Sequence, residues 1–141
     1  MLRATRLLLS ARAQESNIAT LVLRVSIGSL MAFHGFEKVS NFSTYSTQFP
    51  DPIGLGSGVA LGLVVTAEFF GGIALCLGFL TRVFSLMIFI TMAVAVFIIH
   101  VQDAFAMKEL AVLFLLTSSS IMISGAGKYS LDFLILKKLT Q

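Results

Sequence analysis

Charged residues are scarce in this sequence. They make up 12% of its 141 residues, hydrophobic residues make up 57%, and the mean hydropathy is +0.94. Soluble domains carry roughly 25% charged residues, which cover much of their surface. The shortage excludes a soluble globular protein and indicates a chain that lies in a lipid bilayer. The small number of basic residues also argues against a nucleic-acid partner.

Cysteine is nearly absent and tryptophan is absent. Cys76 is the single cysteine, which excludes an internal disulfide and a CxxC redox pair. Its place in an apolar stretch predicts a small packing residue. The sequence has no pattern typical of a metal cluster, a phosphate-binding loop or a nucleophile elbow. We therefore expect no intrinsic cofactor and no metal.

Long apolar stretches are what the sequence does contain. They cover residues 18–36, 59–80, 83–101 and 110–123, and the fourth reaches spanning length only if it runs over residues 107–125. A membrane-spanning helix needs about 20 residues. Period-2 alternation is absent, which disfavours strands. We predict an all-α fold, an integral membrane antiparallel four-helix bundle.

The start of the chain differs from the rest. Residues 1–16 are basic, and their apolar LLL patch is too short for a secretory signal. The composition predicts a short amphipathic helix at the membrane interface, and it also resembles a mitochondrial presequence. We divide the chain into this interfacial segment (1–16), a four-span domain (17–125) and a cytoplasmic tail (126–141).

Basic residues outside the spans predict the orientation of the bundle. With four spans, both termini and the second connection share one side, which holds Arg3, Arg6, Arg12, Arg82, Lys128, Lys137 and Lys138. The other side holds Lys38 and Lys108. Both termini are therefore predicted to be cytoplasmic, and the FHGFEK stretch is predicted to face outward.

Two ionisable residues fall deep inside apolar stretches, Arg24 in the first and Glu68 in the second. An unpaired charge at the bilayer centre costs at least about 2.5–3.5 kcal/mol. Because the two helices are consecutive and the charges opposite, we predict a buried Arg24–Glu68 pair. The pair could fix helix register, or it could act catalytically by handling a proton or a polar head group. Both interpretations stay open.

Polar residues gather at the predicted outward end. They are His34, Glu37, Lys38, His100, Gln102, Asp103, Lys108 and Glu109. They predict a polar funnel that leads from the outer surface down to the Arg24–Glu68 pair, with His34, Lys38 and His100 as candidate ligand-binding residues. The alternative is an ordinary wet interface where charged side chains reach toward water. A haem held by the two histidines is a further alternative.

Three stretches in this order, LRVSIGSLMAFHGFEKVSNF, AEFFGGIALCLGFLTRVFS and GAGKYSLD, together resemble the DoxX family of small four-helix membrane proteins. In LRVSIGSLMAFHGFEKVSNF the residues that match this family are Arg24, His34, Gly35 and Lys38. In AEFFGGIALCLGFLTRVFS the family's glutamate, glycines and G-x-x-T-R turn correspond to Glu68, Gly71, Gly78, Thr81 and Arg82. The closing GAGKYSLD resembles a Gly-Pro-Gly-Arg-x-Ser-Leu-Asp stretch, with Ala126 for proline and Lys128 for arginine.

The resemblance implies a bacterial cytoplasmic-membrane protein that is linked to redox chemistry. It implies a quinone- or quinol-associated subunit of a membrane oxidoreductase, with other membrane subunits as partners. The alternative is a non-catalytic accessory subunit that stabilises a larger membrane complex. A transporter is a third alternative, which the lack of broken spans disfavours.

The orientation can be tested with single cysteines in a Cys76→Ala background. Thr47→Cys lies in the connection predicted to face outward, and Thr140→Cys lies in the predicted cytoplasmic tail. A membrane-impermeant maleimide added to intact cells is expected to label Thr47→Cys and not Thr140→Cys. The reverse pattern would show that the basic residues were misjudged as an orientation signal.

Overall fold

The computed structural model describes residues 13–140, with side chains from residue 16 onward. In chain order its helices are α1 (Ala13–Ser40), α2 (Phe42–Tyr45), α3 (Ser57–Leu77), α4 (Thr81–Ile99), α5 (Phe105–Ser124) and α6 (Leu131–Leu139). No strand occurs in residues 13–140.

Four of these helices, α1, α3, α4 and α5, are long and apolar enough to cross a membrane. Their qualifying stretches have 25, 21, 19 and 20 residues. At 1.5 Å per residue each covers about 30 Å, the thickness of the hydrocarbon layer. The predicted all-α, four-span fold is confirmed. α5 takes the longer predicted extent, because it begins at Phe105 and includes Lys108 and Glu109.

The end of the first span differs from the end of its apolar stretch. α1 continues as far as Ser40, so Glu37 and Lys38 lie on the helix rather than beyond its end. The predicted interfacial segment, residues 1–16, lies almost wholly outside the described residues, and the three-part division of the chain stays a prediction.

The two ends of the bundle are named here by the elements found there. The outer end holds the connection 41–56, which includes α2, and the connection 100–104. The inner end holds the start of α1, the turn 78–80 and α6. The names follow the predicted orientation of the chain.

Small residues bring α1 and α3 into close contact. A Cβ built on Gly72 would lie 2.5 Å from the Ala32 nitrogen and 2.6 Å from the Gly28 oxygen. A Cβ on Gly35 would overlap the backbone of Phe69. Membrane helices associate mainly by van der Waals packing, which is strongest where small residues let the backbones approach.

The remaining core lies between α1, α3, α4 and α5. Its fully buried apolar cluster comprises Ile27, Met31, Leu75, Ile88, Met92, Phe114, Leu115 and Ile121. Many other large apolar side chains are exposed along the spans, Phe33 at 74% among them. Exposed apolar residues all around a helical bundle are typical of a surface that contacts lipid.

The glycine contact yields a prediction with a control in the same helix. Gly72→Ala places a Cβ against the α1 backbone and is expected to lower stability by about 1–3 kcal/mol. Gly62→Ala meets nothing within 4 Å, so its better helix propensity is expected to raise stability by up to about 1 kcal/mol. Thermal unfolding in detergent measures both variants, and equal effects would contradict the close packing of α1 on α3.

Candidate functional site

The outer half of the bundle contains a buried ion pair. Lys38 of α1 donates a hydrogen bond from Nζ to Oε2 of Glu68 in α3 at 2.6 Å. The Glu68 side chain is 6% exposed and the Lys38 side chain 20% exposed. A carboxylate this deeply buried requires a charged partner or a proton, and the lysine provides the first.

Two local features of the backbone place these side chains. Gly35 lies one helical turn before Lys38, and its contact with the Phe69 backbone holds α1 against α3 at the level of Glu68. Residues Thr66–Phe70 form a π-helical turn with Glu68 at its centre. π-Helical turns within α-helices occur often at functional sites. The extra residue in a π-helical turn changes the direction in which the nearby side chains point.

Aromatic residues flank this pair along both helices, and two of their rings are exposed. Phe36 and Phe69 have ring centroids 6.2 Å apart, and Phe69 and Phe70 lie 5.2 Å apart in an edge-to-face arrangement. Phe36 is 54% exposed and Phe70 55% exposed. We call Phe36, Phe69 and Phe70 the aromatic cluster.

The predicted pairing of Arg24 with Glu68 is wrong. Arg24 is fully buried, donates from Nη1 to the Leu75 carbonyl at 2.9 Å and donates from Nη2 to the Tyr129 carbonyl at 2.6 Å. Leu75 follows Glu68 by seven residues on α3, or about 10 Å of helical rise. Two backbone carbonyls accept the hydrogen bonds that the prediction assigned to the Glu68 carboxylate.

Arg24 belongs instead to a junction at the inner end, formed with Gly78, Ser130 and Asp132. Gly78 ends α3 in the left-handed conformation, and the Gly78 and Phe79 N–H groups bond back to Leu75 and Ala74. This pair of backbone hydrogen bonds forms a Schellman C-cap. The guanidinium of Arg24 lies directly against the position that a Cβ on residue 78 would occupy, so only glycine fits.

Asp132 connects the tail to the same junction. Its carboxylate accepts hydrogen bonds from the N–H groups of Leu80 and Thr81, which begin α4. Its own N–H donates to the Gly78 carbonyl. Sequence reasoning did not single out Asp132, although the GKYSLD stretch carried the signal. A carboxylate at a helix N-terminus satisfies unpaired N–H groups and the helix dipole.

The structure gives the two histidines different partners. The half-buried His34 ring packs edge-on against Phe114 of α5 with centroids 5.8 Å apart. His100 follows α4, and its Nδ1 lies 2.7 Å from Oδ2 of Asp103, with both side chains about 40% exposed. Among residues 16–140 no group of three His, Cys, Asp or Glu side chains could hold a metal ion.

Polar side chains at the outer end of the bundle, which we call the polar rim, form hydrogen bonds with one another and with nearby backbone N–H groups. The Tyr45 hydroxyl of α2 donates to Oε1 of Glu37, and this bond raises the pKa of Tyr45. Asp51 accepts from the N–H groups of Gly56 and Leu55, which lowers the pKa of its carboxyl. Because the carboxyl pKa is lower in the folded protein than in the unfolded chain, Asp51 stabilises the fold at pH values above its unfolded pKa. This stabilisation is lost as the pH falls through the folded pKa. The predicted funnel stays a prediction, and Arg24 does not lie at its base, because Arg24 bonds to carbonyls at the inner end.

Four membrane-spanning helices that enclose an ion pair define a small helical integral membrane protein. The DoxX family profile matches residues 19–101, and the chain belongs to the DoxX family.

Two relatives support this assignment. The chain is 31% identical over 126 residues to "Inner membrane protein YqjF" of Escherichia coli (strain K12), covering 86% of this chain and 95% of the relative. It is 30% identical over 121 residues to "Putative oxidoreductase CatD" of Bacillus subtilis (strain 168), covering 85% of this chain and 89% of the relative. No solved structure matches the chain.

The geometry predicts which charges are energetically coupled. In a double-mutant cycle, Lys38→Met and Glu68→Gln are expected to lose less stability together than the sum of the single changes, by about 0.5–3 kcal/mol. Each single change leaves one buried charge without its partner. The double change removes both charges, so no unpaired charge remains. Thermal unfolding in detergent measures all variants.

The matched control is the cycle of Arg24→Gln with Glu68→Gln. Arg24 and Glu68 lie at different levels of the bundle and share no partner, so their effects are expected to add within about 0.5 kcal/mol. Strong coupling in this second cycle, together with additivity in the first, would restore the Arg24–Glu68 pair.

Proposed function

We propose that this protein is a quinone- or quinol-associated subunit of a membrane oxidoreductase complex. The observation that carries the proposal is the Lys38–Glu68 ion pair, which joins α1 to α3 and has the exposed rings of Phe36 and Phe70 within two residues of it along these helices. The name of the Bacillus subtilis relative, an oxidoreductase, supports the same class of reaction. The name of the Escherichia coli relative supports a location in the bacterial inner membrane.

The residues present have the chemistry that a quinone head group needs. A quinone requires hydrogen-bond donors for its carbonyl oxygens and an apolar surface for its ring. Lys38 carries more N–H donors on Nζ than its single bond to Glu68 uses. Phe36 and Phe70 offer ring faces on the lipid side, from which an apolar isoprenoid compound would enter.

In this proposal the charged pair divides two tasks. A bound quinone becomes quinol by taking up two electrons and two protons, and the reverse reaction releases them. Lys38 would donate a hydrogen bond to a carbonyl oxygen and stabilise the negative charge that develops there. Glu68 would exchange a proton with the head group, and the polar rim at Glu37 and Tyr45 would connect it to the outer surface. The electrons would come from, or pass to, another subunit.

The other predicted site residues have smaller parts in the proposal. His34 is retained as a secondary donor, because it lies one helical turn before Lys38 on α1. His100 and Arg24 are left out of quinone binding, since His100 bonds to Asp103 and Arg24 bonds to carbonyls at the inner end.

The alternative proposal is a non-catalytic accessory subunit that stabilises a larger membrane complex. One observation favours it: Lys38 and Glu68 satisfy each other, as a pair that only fixes the register of α1 and α3 would do. The hydroxyl groups of Thr117, Ser119 and Ser120 on α5 are bonded to carbonyls of their own helix, and Ser118 is fully buried. A partner of this surface of α5 would therefore be held mainly by packing.

The two proposals predict different amounts of quinone in the purified protein. The wild type, purified in mild detergent and extracted with organic solvent, is expected to release quinone in a stoichiometric amount. Lys38→Met removes a charged donor and is expected to reduce the bound amount about tenfold. Chromatography of the extract measures quinone per protein, and the thermal stability of each variant is measured in the same detergent.

Glu109→Gln is the matched control, because Glu109 lies on α5 and is exposed at the same end of the bundle. It is expected to retain quinone at the wild-type level. Wild-type protein that releases no quinone but co-purifies with a fixed set of membrane proteins would support the accessory subunit instead. Equal loss in Lys38→Met and Glu109→Gln would place quinone away from the ion pair.

A further inference from the structure

α6 is an apolar helix whose hydrophobic side chains stay exposed among residues 16–140. Its sequence LDFLILKKL contains no buried residue, and its large side chains are exposed by 38–79%. The helix is nevertheless fixed in place, because Ser130 caps its first turn by accepting from the Phe133 N–H and Asp132 bonds to the start of α4. A fixed apolar helix at the inner ends of four membrane spans lies where lipid is the available apolar partner.

An open groove of about 320 Å³ lies between α6 and the start of α1. Its walls include Asn17 of α1, Lys128 of the α5–α6 connection, and Phe133 and Leu136 of α6. The lining is thus apolar along α6 and carries a cation at its other side. Asp132 also borders the groove, but both of its oxygens accept hydrogen bonds from the backbone of α4.

Positive charge surrounds this groove. Within residues 16–140 the exposed charged side chains at the inner end are Arg82, Lys128, Lys137 and Lys138. The two lysines of α6 lie in its last turn, where cations also favour the helix dipole. Basic residues next to membrane spans attract anionic lipid head groups, each by about fivefold in affinity.

We propose that this groove and the apolar side of α6 bind an anionic phospholipid. The phosphate of its head group would lie near Lys128, within reach of Lys137 and Lys138, and its acyl chains would cover Phe133 and Leu136. The lipid would pack against the side of α6 that residues 16–140 leave exposed. The inference does not depend on quinone binding, because the groove and the ion pair lie at opposite ends of the bundle.

Native mass spectrometry from detergent tests the proposal with phosphatidylglycerol and phosphatidylcholine of identical acyl chains. The wild type is expected to retain phosphatidylglycerol in preference to phosphatidylcholine. Lys128→Gln is expected to reduce that preference about fivefold, and the further change of Lys137 and Lys138 to Gln is expected to reduce it again. Lys108→Gln, which removes a cation from the outer end, is expected to leave the preference unchanged.

Two results would overturn the proposal. Equal retention of the two lipids by the wild type would show that the groove has no selectivity for anionic head groups. An equal effect of Lys128→Gln and Lys108→Gln would show that overall charge, rather than this groove, determines the preference. Thermal unfolding of each variant in the same detergent separates a lost lipid site from a lost fold. This check is needed because Lys108 is half-buried and donates hydrogen bonds to the carbonyls of His100 and Val101, whereas Lys128 is exposed.

Discussion

The close contact of α1 with α3 is the constraint on which the rest of the structure depends. Among the α1 residues that face α3 or the core, Arg24, Gly28, Met31, Gly35 and Lys38 are spaced alternately by four and three. This spacing keeps all five on one side of a helix. The small residues in the middle bring the backbones together, and a cation at each end reaches a partner on α3. Without the contact at the glycines, neither cation would be within hydrogen-bonding distance of its acceptor.

Arg24 and Lys38 are stabilised inside the bundle by different kinds of partner. Arg24 binds the carbonyls of Leu75 and Tyr129, one of which lies at the C-terminal end of α3, where the helix dipole is negative. The planar guanidinium suits this role because it binds several acceptors in fixed directions. Lys38 has a single charged partner, Glu68, and lies closer to the surface. Since an ammonium and a carboxylate can both exchange protons and change partners, the outer pair is the more suitable of the two for chemistry.

The sequence predicted much of the fold because the lipid bilayer restricts the choices. Long apolar stretches can only be helices in a membrane, so the number of spans and the class of fold followed directly. The candidate site was predicted less well. Glu68 and Lys38 were both singled out, but Glu68 was paired with Arg24. A sequence indicates side chains of opposite charge as partners and gives no sign of a backbone carbonyl in that role. Backbone carbonyls, the π-helical turn at Thr66–Phe70 and the capping role of Asp132 depend on three-dimensional contacts that no hydrophobic pattern encodes.

The separation of the two polar regions affects how a loss of function is interpreted. Arg24, Gly78 and Asp132 link α1, the end of α3, the start of α4 and the tail, so a change at any of them would disturb the relative positions of all these elements. Such a change is expected to lower the stability of the whole bundle, although Arg24 shares no hydrogen-bond partner with Lys38 or Glu68. A variant at Arg24 that abolishes activity is therefore no evidence that Arg24 contacts a ligand. Only variants at the outer end, compared with variants of equal instability at the inner end, distinguish chemistry from architecture in this bundle.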